Sequence, residues 1–154
     1  AAIEVETYGL AAALDEARPR NAMASRFSIP FALATSIVSG ASGTAAFAAE
    51  KFSDPAILEL AARISLCEDP AMTAAEPDRR PARVTVVWQG GGRRTETVEN
   101  ARGEPERPFS ADELEEKYFE LTARAWSRDQ AARVHDDVLA IETLADLRRL
   151  IPRH

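Results

Sequence analysis

The stretch RFSIPFALATSIVSG, residues 26–40, decides how this chain folds. It is apolar over the length of a helix, yet shorter and more interrupted than the roughly 20 apolar residues that a membrane span requires. It therefore belongs in a protein interior. Ser28 suits the N-cap, Pro30 falls in the first turn, where an amide would lack a partner anyway, and Gly40 stands where helices commonly end. Apolar residues lie on nearly every side, with Thr35 and Ser36 the only polar interruptions before the end. A helix apolar all round is expected to be buried all round, so a second layer is expected to cover its far side.

Upstream, Ile3 and Val5 alternate with Glu4 and Glu6, which predicts a strand with one buried and one wet face. A short Ala/Leu helix near residues 9–15 and a turn at EARPRN (16–21) lead into the apolar run. Downstream come a Gly/Ser/Ala loop and a weak helical turn near residues 45–52. The run SDPAILELAARI (53–64) then carries its own start signals, Asp54 as N-cap and Pro55 at the first helical position. ISLCED (64–69) reads as a short strand, and the segment 69–82, with its three prolines, as a loop or at most one helical turn. Val84, Val86 and Trp88 alternate into a glycine-rich turn and return through TETVEN (95–100), a hairpin. About four strands mixed with three helices, out of strict alternation, give an α+β class: a small, mostly antiparallel sheet with helices packed on one face.

ARGEPERP (101–108) is a proline-punctuated linker, and beyond it the pattern is purely helical. Ser110 with Glu113 forms a capping box, and Phe109 and Leu114 occupy the two positions of a hydrophobic staple. A second box, Ser127 with Gln130, starts a last helix whose stripe runs through Val134, Val138, Ile141, Leu144 or Ala145, and Ile151. A C-terminal antiparallel helix pair is expected. The expected division is residues 1–104 as an α+β domain and residues 105–154 as a helical segment.

At 154 residues the chain is one ordinary domain or a core with an appendage. Its formal charge of -6 argues against nucleic acid, whose phosphates call for a basic face; Arg79-Arg80 and Arg93-Arg94 read as solvated loop charges. The single cysteine, Cys67, allows no internal disulfide and makes a reducing cytoplasm the expectation. Arg and Ala are abundant while Lys is confined to Lys51 and Lys117, a bias that fits a GC-rich bacterial genome. The strand pattern begins with the first residues, without a leader or initiator Met, so the chain is expected to have been cut from a longer protein.

No complete active site stands in the sequence. The glycines at 90–92 precede a strand, whereas a phosphate cradle leads into a helix, so a plain hairpin turn is the reading. His135 has no second histidine at metal-ligand spacing and reads as part of a solvated helix face; Cys67 lacks a base that can be placed and reads as a half-buried strand residue. Asp112, Glu113, Glu115 and Glu116 complement a helix dipole. Neither a cofactor nor a metal site is indicated.

The apolar run, together with IEVETYGLAAALD (3–15), Pro19, FSDPAILELAARI (52–64), VTVVWQGG (84–91) and NARGEPERPFSADELEEKYFELTAR (100–124), resembles the C-terminal part of the MmgE/PrpD family. That family includes 2-methylcitrate dehydratases, cis-aconitate decarboxylases and iminodisuccinate epimerases. The resemblance covers almost the whole chain in order, carried by the succession of segments and by no single diagnostic motif. It implies a parent of two domains, a large helical one with most of the catalytic residues and a smaller α+β lid. Residues 1–104 then correspond to the lid and residues 105–154 to helices returning to the large domain. The family's catalytic histidines, acidic residues and Lys-Pro-Cys stretch are expected upstream of Ala1.

One family position falls inside the chain. In many members the run after the Phe-Ser pair carries a Tyr facing the active site; here the matching residue is Phe31, which can neither donate a proton nor a hydrogen bond. Arg26 and Ser28, beside it, are the candidate cleft-facing polar groups, Arg26 as a bidentate carboxylate ligand. A surface arginine and a helix cap remain the alternative for both. The resemblance thus implies a fragment of a lyase or isomerase acting on a small di- or tricarboxylic acid, inactive alone, partnered by the upstream helical domain and assembled as a homo-oligomer. The competing expectation is a non-enzymatic α+β module that associates through its C-terminal helices.

Overall fold

The computed structural model describes residues 1–40 and 43–151. The chain divides into two compact units, Ala1–Arg107 and Pro108–His154. The class is α+β, with a mixed, mostly antiparallel four-stranded sheet in the first unit.

The sheet is built from β1 (Ala2–Thr7), β2 (Ile64–Glu68), β3 (Ala82–Val87) and β4 (Arg93–Val98), in the order β2-β1-β3-β4. β1 pairs antiparallel with β3, Val5 opposite Val84, and β3 antiparallel with β4, Val84 opposite Glu96. The β1–β2 pair is parallel, with Ile3 opposite Ile64. A parallel pair needs a long crossover, and the described residues between 8 and 63 supply it with the α-helices α1 (Gly9–Ala12), α2 (Ala22–Arg26), α3 (Ile29–Ser39) and α4 (Pro55–Ala61) and two 3-10 turns between the last two. A further single turn, α5 (Pro70–Ala74), follows β2 and is capped by Asp69.

One face of the sheet is apolar. Ile3, Val5 and Ile64 form a core with Phe31 and Ala34 of α3 and with Ile57 and Ala61 of α4. Phe31 and Ile57 are fully buried, each contributing about 1.5–3 kcal/mol relative to an exposed position. The Phe31 ring lies 5.8 Å from that of Phe52, tilted by 49°. The opposite face is polar: Arg83 donates to Glu6 directly across the β1–β3 pair at 2.9 Å, and the hydroxyls of Thr85 and Thr95 meet at 2.8 Å across β3–β4. β4 is an edge strand, exposed throughout, and its Arg93, Arg94 and Glu96 discourage pairing with another chain.

The start and stop signals of α3 operate as read. The Ser28 hydroxyl accepts from the Phe31 amide, Pro30 lies in the first turn, and Gly40 closes the helix at φ +66°, the left-handed conformation that glycine adopts without a Cβ penalty. Its burial does not follow the reading. Pro30, Phe31, Ala34 and Thr35 are buried, but Ile37 is 57% exposed and Val38 is also exposed. Among the described residues of the first unit nothing covers the far side, and a helix with no polar stripe carries no phase information from which the inward side could be read. The hydroxyl-bearing Thr35 is in the core while Ile37 is outside it.

Two other elements depart from the reading. The turn expected at residues 16–21 runs into α2, a single helical turn started by Asn21, whose Oδ1 accepts from the Ala24 amide at 2.9 Å. Cys67, on the polar face of the sheet, is exposed and not half-buried.

The second unit contains α6 (Ala111–Thr122) and α7 (Arg128–Leu139), both with complete capping boxes. The Tyr118 hydroxyl donates to the Ala131 carbonyl at 2.9 Å, and the Tyr118 and His135 rings lie 5.4 Å apart, as an antiparallel pair requires. The expected apolar stripe of the last helix is interrupted after Leu139. Ile141 starts one short 3-10 turn, and Asp146 caps another over Leu147–Leu150 by accepting from the Arg148 amide. That cap is a local stop and restart signal that a helical periodicity passes over. Among the described residues no helix is long and apolar enough to cross a membrane.

Candidate functional site

The connection between α1 and α3 holds Arg26, Ser28 and, just beyond it, Phe31. It is tied down at its end: the Ile29 amide donates to the Leu14 carbonyl at 2.9 Å, and the Ser28 hydroxyl donates to the Glu16 carbonyl. The same Ser28 oxygen accepts from the Phe31 amide at 3.0 Å. Ser28 is buried, its proton and one lone pair committed to the backbone, so it fixes the angle at which the chain enters α3.

Phe31 leaves this anchor for the core, with 0% of its surface exposed. Arg26 leaves in another direction. It is the last residue of α2, exposed, and its guanidinium has no hydrogen-bond or ion-pair partner among the described residues. Ser25 before it is fully buried, and its hydroxyl donates back within the short helix to the Ala22 carbonyl at 3.0 Å. The structure therefore joins Ser28 to Phe31 and leaves Arg26 as the one of the three with polar atoms open to a ligand.

Arg26 has company that the sequence reading missed. Arg18 and Arg20, in the same connection, are exposed, and their guanidinium groups likewise have no partner among the described residues. Met23 and Phe27 lie beside them, 67% and 57% exposed. The available signal was three arginines within residues 18–26 with no acid among them. Arg83 is differently placed: it is held between Glu6 and Asp69, and its hydrogen bond to Glu6 raises its pKa further above the ordinary value.

The remaining sequence candidates are structural. At the hairpin, Gly91 takes φ +83° and its amide donates to the Trp88 carbonyl at 3.0 Å, so the turn is closed on itself. His135 is not on a solvated face: its ring is packed between the helices, 5.4 Å from Tyr118 and 5.6 Å from Phe119, with Nδ1 3.3 Å from Asp136. Among the described residues no three His, Cys, Asp or Glu side chains are placed to hold a metal ion.

The family model for the MmgE/PrpD C-terminal domain matches residues 1–142. The chain belongs to this family. The match runs from the first strand of the MmgE/PrpD domain, through the sheet and both capping boxes, into the 3-10 turn that follows α7. No curated protein matches the chain.

Proposed function

We propose that this MmgE/PrpD domain serves as the cap of a cytoplasmic lyase or isomerase that acts next to a carboxylate on a small di- or tricarboxylic acid. In such chemistry a base removes a proton adjacent to a carboxylate, and water or CO2 leaves or the proton returns on the other face; it requires a positioned base and acid and a stabilised enolate-like charge. The observation that carries this reading is the family match over residues 1–142. In this reading the domain's part is binding, and the proton-transfer groups belong to a helical domain that it covers. Arg26, with Arg18 and Arg20 in the same connection, contacts the substrate carboxylates, a task for which guanidinium groups with free donors are suited. Ser28 and Phe31 act behind them by fixing the connection and the start of α3.

The partner surface is apolar. Leu114, Leu121, Val138 and Leu139 are exposed on the α6–α7 pair, and a helical domain or a second copy would cover them. Sedimentation of the chain mixed with the helical domain of a full-length family member tests the arrangement. A stable complex that Leu121→Ser with Val138→Ser disrupts is expected. Absence of any complex would favour a non-enzymatic association module instead.

A further inference from the structure

The second unit carries a cluster of guanidinium groups outside the connection described above. A surface pocket is lined by Gln130 and Arg133 of α7 and by Asp146, Arg148, Arg149 and Ile151 of the segment that follows it. Beneath it is Asp137, only 6% exposed, whose Oδ1 is 2.9 Å from Nη2 of Arg149 and whose Oδ2 is 3.7 Å from Nη1 of Arg133. Arg133 Nη1 also donates to the Arg149 carbonyl at 2.8 Å, tying the segment to the helix. Arg148 is gripped by the Asp146 carboxylate through Nε at 3.0 Å and Nη2 at 2.8 Å.

These pairs hold the guanidinium groups in place without saturating them. Arg148 Nη1, and Nε together with one terminal nitrogen on each of Arg133 and Arg149, have no hydrogen-bond partner among the described residues. The Gln130 carbonyl oxygen is engaged by Ser127, which leaves its amide nitrogen as a further donor. Three guanidinium charges face two carboxylates, so the pocket is positive on a chain whose formal charge is -6. Fixed donors with a surplus of positive charge suit a planar or tetrahedral oxyanion, which guanidinium groups bind in bidentate fashion.

The geometry points to a binding site for a small oxyanion, a carboxylate or phosphate group, between α7 and the 3-10 turn over Leu147–Leu150. Gln130 and Arg133 lie within the residues that the family model matches and Asp146, Arg148, Arg149 and Ile151 beyond them; the inference rests on this geometry and not on the proposed enzymatic role.

The test is an NMR titration of the 15N-labelled chain with inorganic phosphate and, separately, with succinate, at an ionic strength held constant with NaCl. Saturable shifts at Gln130, Arg133, Arg148 and Arg149 are expected, and Arg148→Gln or Arg149→Gln weakens binding about tenfold, the equivalent of one charge-assisted contact. Saturation by phosphate alone identifies a phosphoryl ligand and by succinate alone a carboxylate, both in support. Arg149→Gln takes a partner from buried Asp137 and can disturb the turn; Arg148→Gln removes only the pair with Asp146 and carries the test by itself. Shifts no larger than those in NaCl, or binding unchanged in Arg148→Gln, would overturn the site.

Discussion

Tyr118 of α6 donates its phenolic hydrogen to the carbonyl of Ala131 in α7, 2.9 Å away, and this bond joins the two helices of the second unit. The ring beside it packs on His135, so a single side chain supplies both a polar and an apolar link. Tyr118→Phe keeps the ring and removes the bond. The expected cost is about 1 kcal/mol, the net worth of a typical hydrogen bond, read as a lowered denaturation midpoint with an unchanged slope.

Desolvation raises the pKa of that hydroxyl above its ordinary value of 10.0. The folded state thus favours the protonated phenol, and the resulting stability is present in full below the ordinary value and is lost as pH rises through the shifted one. Alkaline denaturation of the wild type should steepen in that window relative to Tyr118→Phe, which has no proton to lose there.

Asp146 shows the opposite sign. Hydrogen bonds from the Arg148 side chain and amide lower its carboxyl pKa below the ordinary 3.8. Its contribution is present above that value and disappears as pH falls through the lowered one. Protection of the Arg148 and Arg149 amides, measured against their intrinsic exchange rates, should fall below about pH 4, and Asp146→Ala should show low protection already at neutral pH because the cap is gone.

The core and the anchor separate in a substitution series. Phe31→Ala removes a fully buried ring and should cost about 3–5 kcal/mol. Phe31→Tyr introduces a hydroxyl into the same packed site and should cost about 1–3 kcal/mol through overpacking and an unpaired polar group. Ser28→Ala should cost about 0.5–2 kcal/mol, the range for a lost N-cap, and it also leaves the Glu16 carbonyl without its donor. Arg26→Ala, at an exposed position with no partner among the described residues, should stay within about 0.5 kcal/mol of wild type. Denaturant unfolding of the four variants orders them.

The exposure of Ile37 gives a sharper contrast. Ile37→Ser should change stability by less than about 0.5 kcal/mol, whereas Ile57→Ala in the same core layer should cost about 2–5 kcal/mol. Equal losses would mean that the far side of α3 is covered after all.

These residues also mark how far the sequence was legible. Caps and breakers are local: Ser28, Asp54, Ser110 and Ser127 each accept the amide hydrogen bond that their residue type and position implied. Strand faces were legible where apolar and charged residues alternate, as at Ile3 to Glu6. Burial was not legible for α3, because its composition is nearly uniform around the axis and only tertiary contacts select Thr35 over Ile37. α2 was hidden because one helical turn is too short to display a period, and the restart at Asp146 because the apolar spacing continued across it. In the candidate site, the identity of Ser28 as a cap was readable, but the division between a buried Phe31 and an open Arg26 required the fold.

In the proposed function this domain binds and covers while another domain performs the proton transfer. The most direct measurement is turnover of cis-aconitate and 2-methylcitrate by the purified 154-residue chain, followed by NMR of the acids. No conversion above the buffer rate is predicted for either acid. Conversion that is lost in Arg26→Gln while the fold is retained would contradict the account, because the chain would then hold a working catalytic centre of its own.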